Sequence, residues 1–555
     1  MADMVSRIYG GFRGVDFRGE ECNLARSPDS LNVWKDYKQT ESICTRPGMK
    51  LVQDIVGPVY GIWFYHGVML VHADSILYKI DSEGTQIVHN DVNPDHGNGF
   101  IYEDVFYFMD RDRYFQYDGT TFEEVEGYVP TTSIGRAPEG GGEIYQEANM
   151  LTGRRINTFL GDNASCDFYL DAQDIDEDFA PIVKINGEVV DGYTVDYAKG
   201  MISFTKAPDA PGTDGQDNVS VEFCKTIPEY RDSICKCSLL QVFDNRVFVS
   251  GNPDFPNVVW HCSLNNPAYF SDLDYYREGM DEAQVKGMVA GNNALWVFRE
   301  PSEANTNVFY HTPALDDEYG KIYPSNHSSV TIGCIGKAIN FNDDIVFFSG
   351  RGMEGISGDI TTEQVAAHRS SLVDSKLITE KDYKNMILEE WEGYLFVFIG
   401  NKAYLADSRA VFTNENHVEY EWFYWEMEKT ITCAKVQDGI LHLGTEDGIY
   451  TLTDHTCALE SYWVTPKDKF KYPHRQKTTN KRGCVAEAGG DISVYAKTED
   501  TEYELIGEFK DVQDYFVSRI KRKKFKDIQL KFHSNTRFSL ETVTLECFIG
   551  GYIKR

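Results

Sequence analysis

The chain has 555 residues, of which 42% are hydrophobic and 13% aromatic, enough for about two to four domains with buried cores. It carries 54 Lys and Arg against 87 Asp and Glu, and this net charge of -33 argues against a protein that coats nucleic acid. No stretch approaches the roughly 18 apolar residues of a membrane span, and the first residues lack the apolar core of a signal peptide. We therefore expect synthesis in a cytoplasm and no membrane insertion.

Residues 1–50 predict an extended N-terminal arm, because they lack the strand pattern of the following segments. Residues 26–34 read Arg-Ser-Pro-Asp-Ser-Leu-Asn-Val-Trp, and residues 45–48 read Thr-Arg-Pro-Gly. Pro28 and Pro47 disfavour helix in the residues that precede them. We expect the arm to contact a neighbouring subunit or the C-terminal domain of its own chain, and its candidate contact residues are Arg26, Pro28, Asp29, Trp34, Arg46 and Pro47.

Seven times between residues 66 and 450, a polar two-residue turn precedes a short apolar strand. The turns recur every 37 to 50 residues except for one interval of 141 residues, between Asp104 and Asn245. Such periods, built from short β-branched and aromatic strands, are typical of four-stranded propeller blades. The pattern predicts an irregular six- or seven-bladed β-propeller over residues 51–130 and 227–460. The seven turns are His66-Gly67, Glu103-Asp104, Asp244-Asn245, Asn292-Asn293, Asn342-Asp343, Glu392-Gly393 and Asp438-Gly439.

The long interval predicts an inserted β-sandwich domain over residues 131–226. Five short strand patterns lie within it, and Asn186-Gly187 favours a hairpin turn between two of them. The glycine-rich Glu139–Gly142 predicts a flexible hinge. An acidic run at Asp171, Asp174, Asp176 and Asp178 fits either a solvated loop, which we favour, or a Ca²⁺ site, because clustered carboxylates suit a hard cation.

Helices are expected at residues 363–372 and 380–388, between blades. Cys235-Lys236-Cys237 is interpreted as core thiols on a strand and not as half of a metal site, since no second Cys or His pair follows at zinc spacing. The remaining cysteines are likewise interpreted as reduced core thiols.

Residues 461–555 lose the blade period and predict a C-terminal β domain. Its most unusual feature is a basic run on an otherwise acidic chain. Such a run could contact an acidic neighbour in an assembly, face DNA in a lumen, or be a solvated strand edge at which lysines block further pairing. The candidate contact residues are Arg519, Lys521, Arg522, Lys523, Lys524 and Lys526.

No motif for nucleotide binding, nucleophilic catalysis or zinc hydrolysis occurs in the chain, so we expect no enzyme, no catalytic residue, no cofactor and no resident metal. A pocket assembled from loops would escape a motif search. Receptor binding, glycan binding or glycan cleavage by the propeller therefore remains an alternative, because glycosidases need only two carboxylates across a cleft.

The two arm motifs, the irregular blades, the inserted sandwich and the ending Gly550–Arg555 together resemble the tail nozzle and packaged-DNA stabilisation proteins of tailed bacteriophages. The segment Gly187–Phe204 is also similar to sandwich repeats of phage proteins. This resemblance implies a virion structural protein of the tail or neck, made in the host cytoplasm. It implies a homo-oligomeric ring, expected to be a hexamer, that contacts adaptor, portal or fibre proteins and lets DNA pass during ejection.

Overall fold

The structure is a computed structural model that describes residues 3–38, 42–213, 215–304, 306–316, 320–357, 363–414, 417–453, 458–499, 501–520 and 524–552. These residues form β-strands and three short helices, at Tyr230–Cys235, Asp374–Leu377 and, with 3-10 geometry, Tyr383–Asn385. Within this part of the chain, no helix is long and apolar enough to cross a membrane. The chain divides into two compact units, one of residues 1–86 and 328–555 and the other of residues 87–327.

Seven four-stranded antiparallel sheets confirm the prediction of a six- or seven-bladed propeller, and we number them as blades in chain order. Four lie mainly in the first unit. Blade 1 is Val59–Tyr65, Val68–Ala73, Ile76–Asp81 and Gly84–His89; blade 5 is Ala338–Phe341, Asp344–Phe348, Met353–Ser357 and Val365–His368. Blade 6 is Ile387–Trp391, Tyr394–Ile399, Lys402–Asn414 and His417–Glu426; blade 7 is Cys433–Gln437, Ile440–Thr445, Gly448–Thr453 and Gly48–Asp54.

The other three blades lie in the second unit. Blade 2 is Asn98–Tyr102, Val105–Met109, Tyr114–Tyr117 and Phe122–Glu124. Blade 3 is Leu239–Phe243, Arg246–Ser250, Val258–His261 and Tyr275–Arg277. Blade 4 is Val285–Gly291, Ala294–Arg299, Val308–His311 and Ser325–His327, and a hairpin of Ala314–Asp316 and Gly320–Ile322 lies within its last connection.

The seven turns found in the sequence each join the first and second strands of one blade. In every one, both turn residues have positive φ, from 42° at Glu103 to 77° at Gly67. Two consecutive residues of this kind make a type I′ turn, whose twist matches that of the paired strands. Gly, Asn and Asp adopt this region at low cost, which is why they dominate the seven dipeptides.

Blade 7 takes its fourth strand from the N-terminal region. Gly448–Thr453 pairs antiparallel with Gly48–Asp54, so the first blade-forming strand begins at Gly48 and not at residue 51. The backbone pairing of strands from opposite ends of the sequence fastens the N-terminal region to the last blade.

The inserted domain has two sheets around its own core. The six-stranded sheet contains Glu143–Ile144, Thr131–Arg136, Arg154–Phe159, Val219–Cys224, Ile182–Ile185 and Glu188–Val189. The three-stranded sheet contains Asp167–Tyr169, Met201–Phe204 and Tyr193–Asp196, and apolar side chains from both sheets pack together between them. The glycine-rich segment predicted as a hinge instead forms the turn between Thr131–Arg136 and Glu143–Ile144, so that prediction is wrong.

Ten strands form the C-terminal sheet. The 24-residue strand Arg475–Thr498 pairs with five others: Phe538–Tyr552, Ile528–Ser534, Glu504–Val512, Tyr515–Ser518 and Lys524–Phe525. Ser461–Val464 extends the sheet beside Ile528–Ser534. The N-terminal region supplies the remaining three strands, Asp3–Gly10, Val33–Trp34 and Ile43–Thr45.

The structure corrects two further predictions from the sequence. The described part of residues 1–50 forms strands and not a free arm, and it contacts the C-terminal domain of its own chain, which is one of the two expected contacts: Asp3–Gly10 pairs with Phe538–Tyr552 from Asp3 opposite Ile549 to Gly10 opposite Thr542. The helices expected at 363–372 and 380–388 are also wrong. Val365–His368 is the last strand of blade 5, and the second segment contains only a single 3-10 turn, since sheet pairing overrides weak helix propensity.

Candidate functional site: an anchored N-terminal segment and a basic sheet edge

Arg26 holds the N-terminal segment against blade 6. It lies on a two-residue strand that pairs in parallel with Gly14–Val15. Its guanidinium donates two hydrogen bonds, of 2.8 and 2.7 Å, to the two carboxylate oxygens of Glu421, whose side chain is fully buried. The guanidinium also lies over the Phe412 ring at 4.4 Å, and Arg13 lies 3.7 Å from the same carboxylate. Because both carboxylate oxygens are bonded, this contact fixes the orientation of the Arg26 guanidinium against Glu421 as well as pairing their charges.

Arg46 is a second anchor, in the Thr-Arg-Pro-Gly motif. Its buried guanidinium donates to the Asn32 Oδ1 atom at 2.9 Å and to the carbonyl of Pro47 at 2.8 Å. It also donates to the carbonyl of Glu426 and to a carboxylate oxygen of Glu428, both at 2.8 Å. One side chain therefore ties two parts of the N-terminal segment to the end of blade 6.

Trp34 adds an aromatic contact to these polar ones. Its ring stacks on Trp391 with a centroid distance of 5.8 Å and meets Trp425 edge to face at 5.5 Å. The Trp425 indole donates a hydrogen bond to the carbonyl of Val33 at 3.1 Å. Aromatic pairs in such geometries contribute about 0.5–1.5 kcal/mol beyond the area they bury. The tryptophan of the first motif is therefore part of the blade 6 core.

The other candidate contact residues of the N-terminal segment are more exposed to solvent than Arg26, Trp34 and Arg46. Pro28 and Pro47 are half-buried, and Asp29 is exposed and accepts a 3.4 Å hydrogen bond from the Tyr462 hydroxyl. The structure thus places Arg26, Trp34 and Arg46 in contacts with their own chain. Asp29 keeps an exposed carboxylate that a neighbouring molecule can reach.

In the described part of the basic run, Arg519 follows the strand Tyr515–Ser518 of the C-terminal sheet, and Lys524 begins the two-residue strand Lys524–Phe525 of the same sheet. Arg519 and Lys524 are exposed, whereas the backbone N–H of Lys526 donates to Glu499 at 2.7 Å. Beneath the edge, the Nζ atom of Lys477 donates to the carbonyl oxygens of Lys526 at 2.6 Å and Tyr472 at 2.5 Å. Burial lowers the pKa of Lys477. The remaining candidates, Lys521, Arg522 and Lys523, lie outside the described residues.

Two carboxylates of the acidic run in the inserted domain accept hydrogen bonds from different threonine side chains. Asp171 accepts a hydrogen bond from the Thr132 hydroxyl at 2.6 Å, and Asp176 accepts one from the Thr226 hydroxyl at 2.5 Å. No group of three or more His, Cys, Asp or Glu side chains arranged to hold a metal ion occurs among the residues that the structure describes.

Cys235 and Cys237 are both buried, as the core interpretation requires. The predicted strand is wrong, however, because Cys235 is the last residue of the helix Tyr230–Cys235. Burial raises the pKa of the Cys235 thiol to about 12, which disfavours the thiolate that binds metals or reacts.

His368, at the end of blade 5, lies between two carboxylates. Its Nδ1 atom is 3.1 Å from Glu354, and its Nε2 atom is 2.5 Å from Asp374, which also accepts a hydrogen bond from Ser370. Burial lowers the pKa of His368, but the hydrogen bonds to Asp374 and Glu354 outweigh it and raise that pKa to about 10. The two carboxylates therefore favour the protonated imidazole at neutral pH.

A pocket in the second unit was missed by sequence reasoning. It has a volume of about 200 Å³ and lies beside blade 3, where the inserted domain returns to the blade. Aromatic side chains line it: Tyr230, Phe255, Trp260 and Tyr275, together with the carboxylate of Asp272. These residues come from separate stretches of the chain, so no local motif signals them.

Comparison with known proteins found likenesses among solved structures alone. No protein-family model matches the sequence, and no curated protein matches it. Among solved structures, the chain is similar to virginiamycin B lyase from Staphylococcus aureus, with 12% identity and a TM-score of 0.36 over 73% of this chain and 99% of that one. It is similar to BamB from Moraxella catarrhalis, with 10% identity and a TM-score of 0.34 over 74% and 97%.

An exo-beta-1,3-galactanase from Phanerochaete chrysosporium is also similar, with 8% identity and a TM-score of 0.22 over 55% of this chain and 94% of that one. Likenesses this remote carry no argument about activity, since one fold supports many unrelated functions. The class defined by the structure is a β-propeller with an inserted sandwich and a C-terminal β domain.

Proposed function

We propose that this protein is a structural component of a bacteriophage tail or neck, and that it forms part of a ring through which DNA passes. The observation that carries the proposal is the way the N-terminal segment is fastened. Its strands join both blade 7 and the C-terminal sheet, and Arg26 and Arg46 secure the intervening loops to blade 6. The residues behind the family resemblance are thus the residues that make this part of the chain rigid.

Rigidity of this kind suits a wall element that must hold its shape while DNA moves past it. The net charge of -33 supports the same role, because an acidic surface repels a phosphate backbone and lets it slide without adhering. The same charge makes subunits repel one another. Ring formation therefore relies on local complementarity, for which the exposed Arg519 and Lys524 are suited when an acidic loop of the next subunit faces them.

Electron microscopy tests the proposal. The purified protein should be monomeric or weakly associated and should form rings when added to portal–adaptor complexes. Replacing Arg519 and Lys524 by Gln should weaken incorporation most at low salt, where charge pairs are least screened, and less as salt rises, without lowering the melting temperature. The matched control replaces Lys199 and Lys206, exposed lysines of the inserted domain, and should assemble normally.

Two results would contradict the proposal. The first is the absence of the protein from purified particles, and the second is a lack of ring density under any condition with the tail partners. If the Arg519 and Lys524 variant assembles normally but releases DNA abnormally, the basic edge faces the lumen. If neither property changes, the edge is solvated and has no part in assembly.

A second candidate function, binding of a receptor or glycan, is favoured by one observation, the aromatic pocket beside blade 3. Exposed aromatic faces are common in pockets for small ligands. Screening the protein against a glycan array tests this function directly, and a turnover assay on any glycan that binds separates binding from cleavage.

A further inference from the structure

A cluster of three cations occupies one end of the C-terminal sheet. Lys471 and Lys524 are exposed and Arg475 is half-buried. None of the three forms an ion pair with a carboxylate in the part of the chain that the structure describes. The lysines just before the cluster differ, because Lys467 and Lys469 both pair with glutamates of the N-terminal segment. On a chain with a net charge of -33, this cationic cluster therefore lacks a counter-charge of its own.

Backbone pairing brings the three cations close to one another. Lys524 lies on the strand next to Arg475–Thr498, opposite the third residue after Arg475, which is about 10 Å away along a strand. Lys471 belongs to the turn that leads into the same strand, in which the backbone N–H of Arg475 donates to the carbonyl of Tyr472 at 3.2 Å. Lysine and arginine side chains are long enough to span these separations, so one anionic segment can contact all three.

The turn that carries the first of these cations is held in place by its own chain. Phe470 is fully buried, and its backbone N–H donates to the buried Asp468 at 2.5 Å. The guanidinium of Arg475 is flanked by two exposed rings, with its central carbon 5.8 Å from the centroid of Tyr472 and 4.8 Å from that of Tyr552. A partner therefore meets cations whose positions are already restricted, which lowers the entropy cost of binding.

The inserted domain carries the opposite charge on a loop that is anchored in a similar way. Asp174, Glu177 and Asp178 are exposed, and among the described residues none of them forms an ion pair. We call these three residues the acidic loop. Between them, Ile175 is buried in the core of the domain, and its backbone N–H donates to a carbonyl of the same domain at 3.0 Å. Three unpaired carboxylates thus match the three unpaired cations in number and in sign.

We propose that the cationic cluster of one subunit binds the acidic loop of a second copy of this chain. The contact deepens the ring function proposed above, and its role in the particle rests on that function. Because the two surfaces belong to different domains, each copy offers its cluster to one neighbour and its acidic loop to another. Such a head-to-tail contact closes into a ring when the rotation between neighbouring copies allows it.

Charge reversal in the full-length protein tests this contact, with sedimentation velocity at low salt as the measure of association between copies. Lys471→Glu combined with Arg475→Glu should weaken self-association at least tenfold. Glu177→Lys combined with Asp178→Lys should weaken it by a similar factor. A chain that carries all four substitutions should associate again like the unmodified protein, because its two surfaces are complementary once more, and this association should fall as salt rises.

The control is Lys381→Glu combined with Lys384→Glu, at exposed positions outside both surfaces, and it should associate normally. Lys524→Glu, on a separate strand, keeps the test valid if the reversal at Lys471 and Arg475 lowers the melting temperature, and it should weaken association severalfold.

The proposal is overturned if the chain with four substitutions associates no better than either reversed pair. It is equally overturned if unmodified copies do not associate at low salt, either free or on portal–adaptor complexes. A reversed cluster that associates normally but loses binding to duplex DNA would assign the cluster to nucleic acid instead. Rings that form equally well with both reversed pairs would refute this contact and leave the ring function standing. Charge-dependent association without any ring on the tail partners would refute the ring function and leave this contact standing.

Discussion

The ion pair between Arg26 and Glu421 should be the most sensitive point in the attachment of the N-terminal segment. Arg26→Met removes two hydrogen bonds of 2.8 and 2.7 Å and leaves a fully buried carboxylate without its main partner. Breaking a buried pair from one side costs about 3–5 kcal/mol. Arg13, 3.7 Å from the same carboxylate, neutralises part of the remaining charge, so we expect a loss of about 3 kcal/mol in the free energy of unfolding.

Urea unfolding followed by near-UV circular dichroism measures this loss. The double variant Arg26→Met with Glu421→Gln should be more stable than Arg26→Met alone, because it no longer buries an unpaired charge. Lys429→Gln, which breaks an exposed pair with Asp447 in the same unit, should leave stability nearly unchanged. The reasoning is refuted if Arg26→Met costs less than about 1 kcal/mol, or if the double variant is the less stable of the two.

Three further predictions concern other parts of the first unit. His368 has its pKa raised to about 10, above the value of about 6.5 expected in the unfolded chain, so its stabilising contribution is complete below pH 6.5 and is lost as pH rises towards 10. His368→Gln should therefore destabilise the protein strongly at pH 6 and little at pH 10 in urea titrations; an equal effect at both values would contradict the cationic assignment. Gly14 has φ of 124°, and a Cβ there would lie 2.0 Å from the carbonyl oxygen of Trp422, so Gly14→Ala should lower stability by about 3 kcal/mol in thermal unfolding. Gly19→Ala, where nothing lies within 4 Å, is its control, and similar melting of the two variants would count against the clash. Lys477→Met should cost about 2 kcal/mol, because it removes the donor of two carbonyl oxygens beneath the basic edge, and hydrogen exchange should become faster around Lys526. Lys510→Met, at an exposed position, should change neither property.

Local sequence determined the repeated parts of this protein. Two adjacent residues with positive φ are enough to make a type I′ turn, so dipeptides such as Asn292-Asn293 and Asp438-Gly439 marked the hairpins of all seven blades. Alternation over a few residues likewise placed strands of the inserted domain, among them Met201–Phe204. These features depend on neighbours in the chain and require no knowledge of distant contacts.

The helix predictions failed where distant pairing outweighed local preference. Residues 363–372 contain good helix formers. Val365–His368 nevertheless pairs with Met353–Ser357, since that pairing satisfies the backbone hydrogen bonds at the open edge of the third strand of blade 5. Burial against a sheet contributes more than the fraction of a kcal/mol per residue that helix propensity supplies.

Tertiary structure alone decided the candidate sites. Arg26 and Glu421 are 395 residues apart, and no periodicity connects them. The extended arm expected from the sequence instead became strands, because open edges in blade 7 and in the C-terminal sheet could pair with it. The pocket lined by Asp272 likewise exists only where the helix Tyr230–Cys235, two strands of blade 3 and loop residues come together. Sequence patterns specify which elements form, whereas the partners of their edges and buried charges are set by packing between segments far apart in the chain.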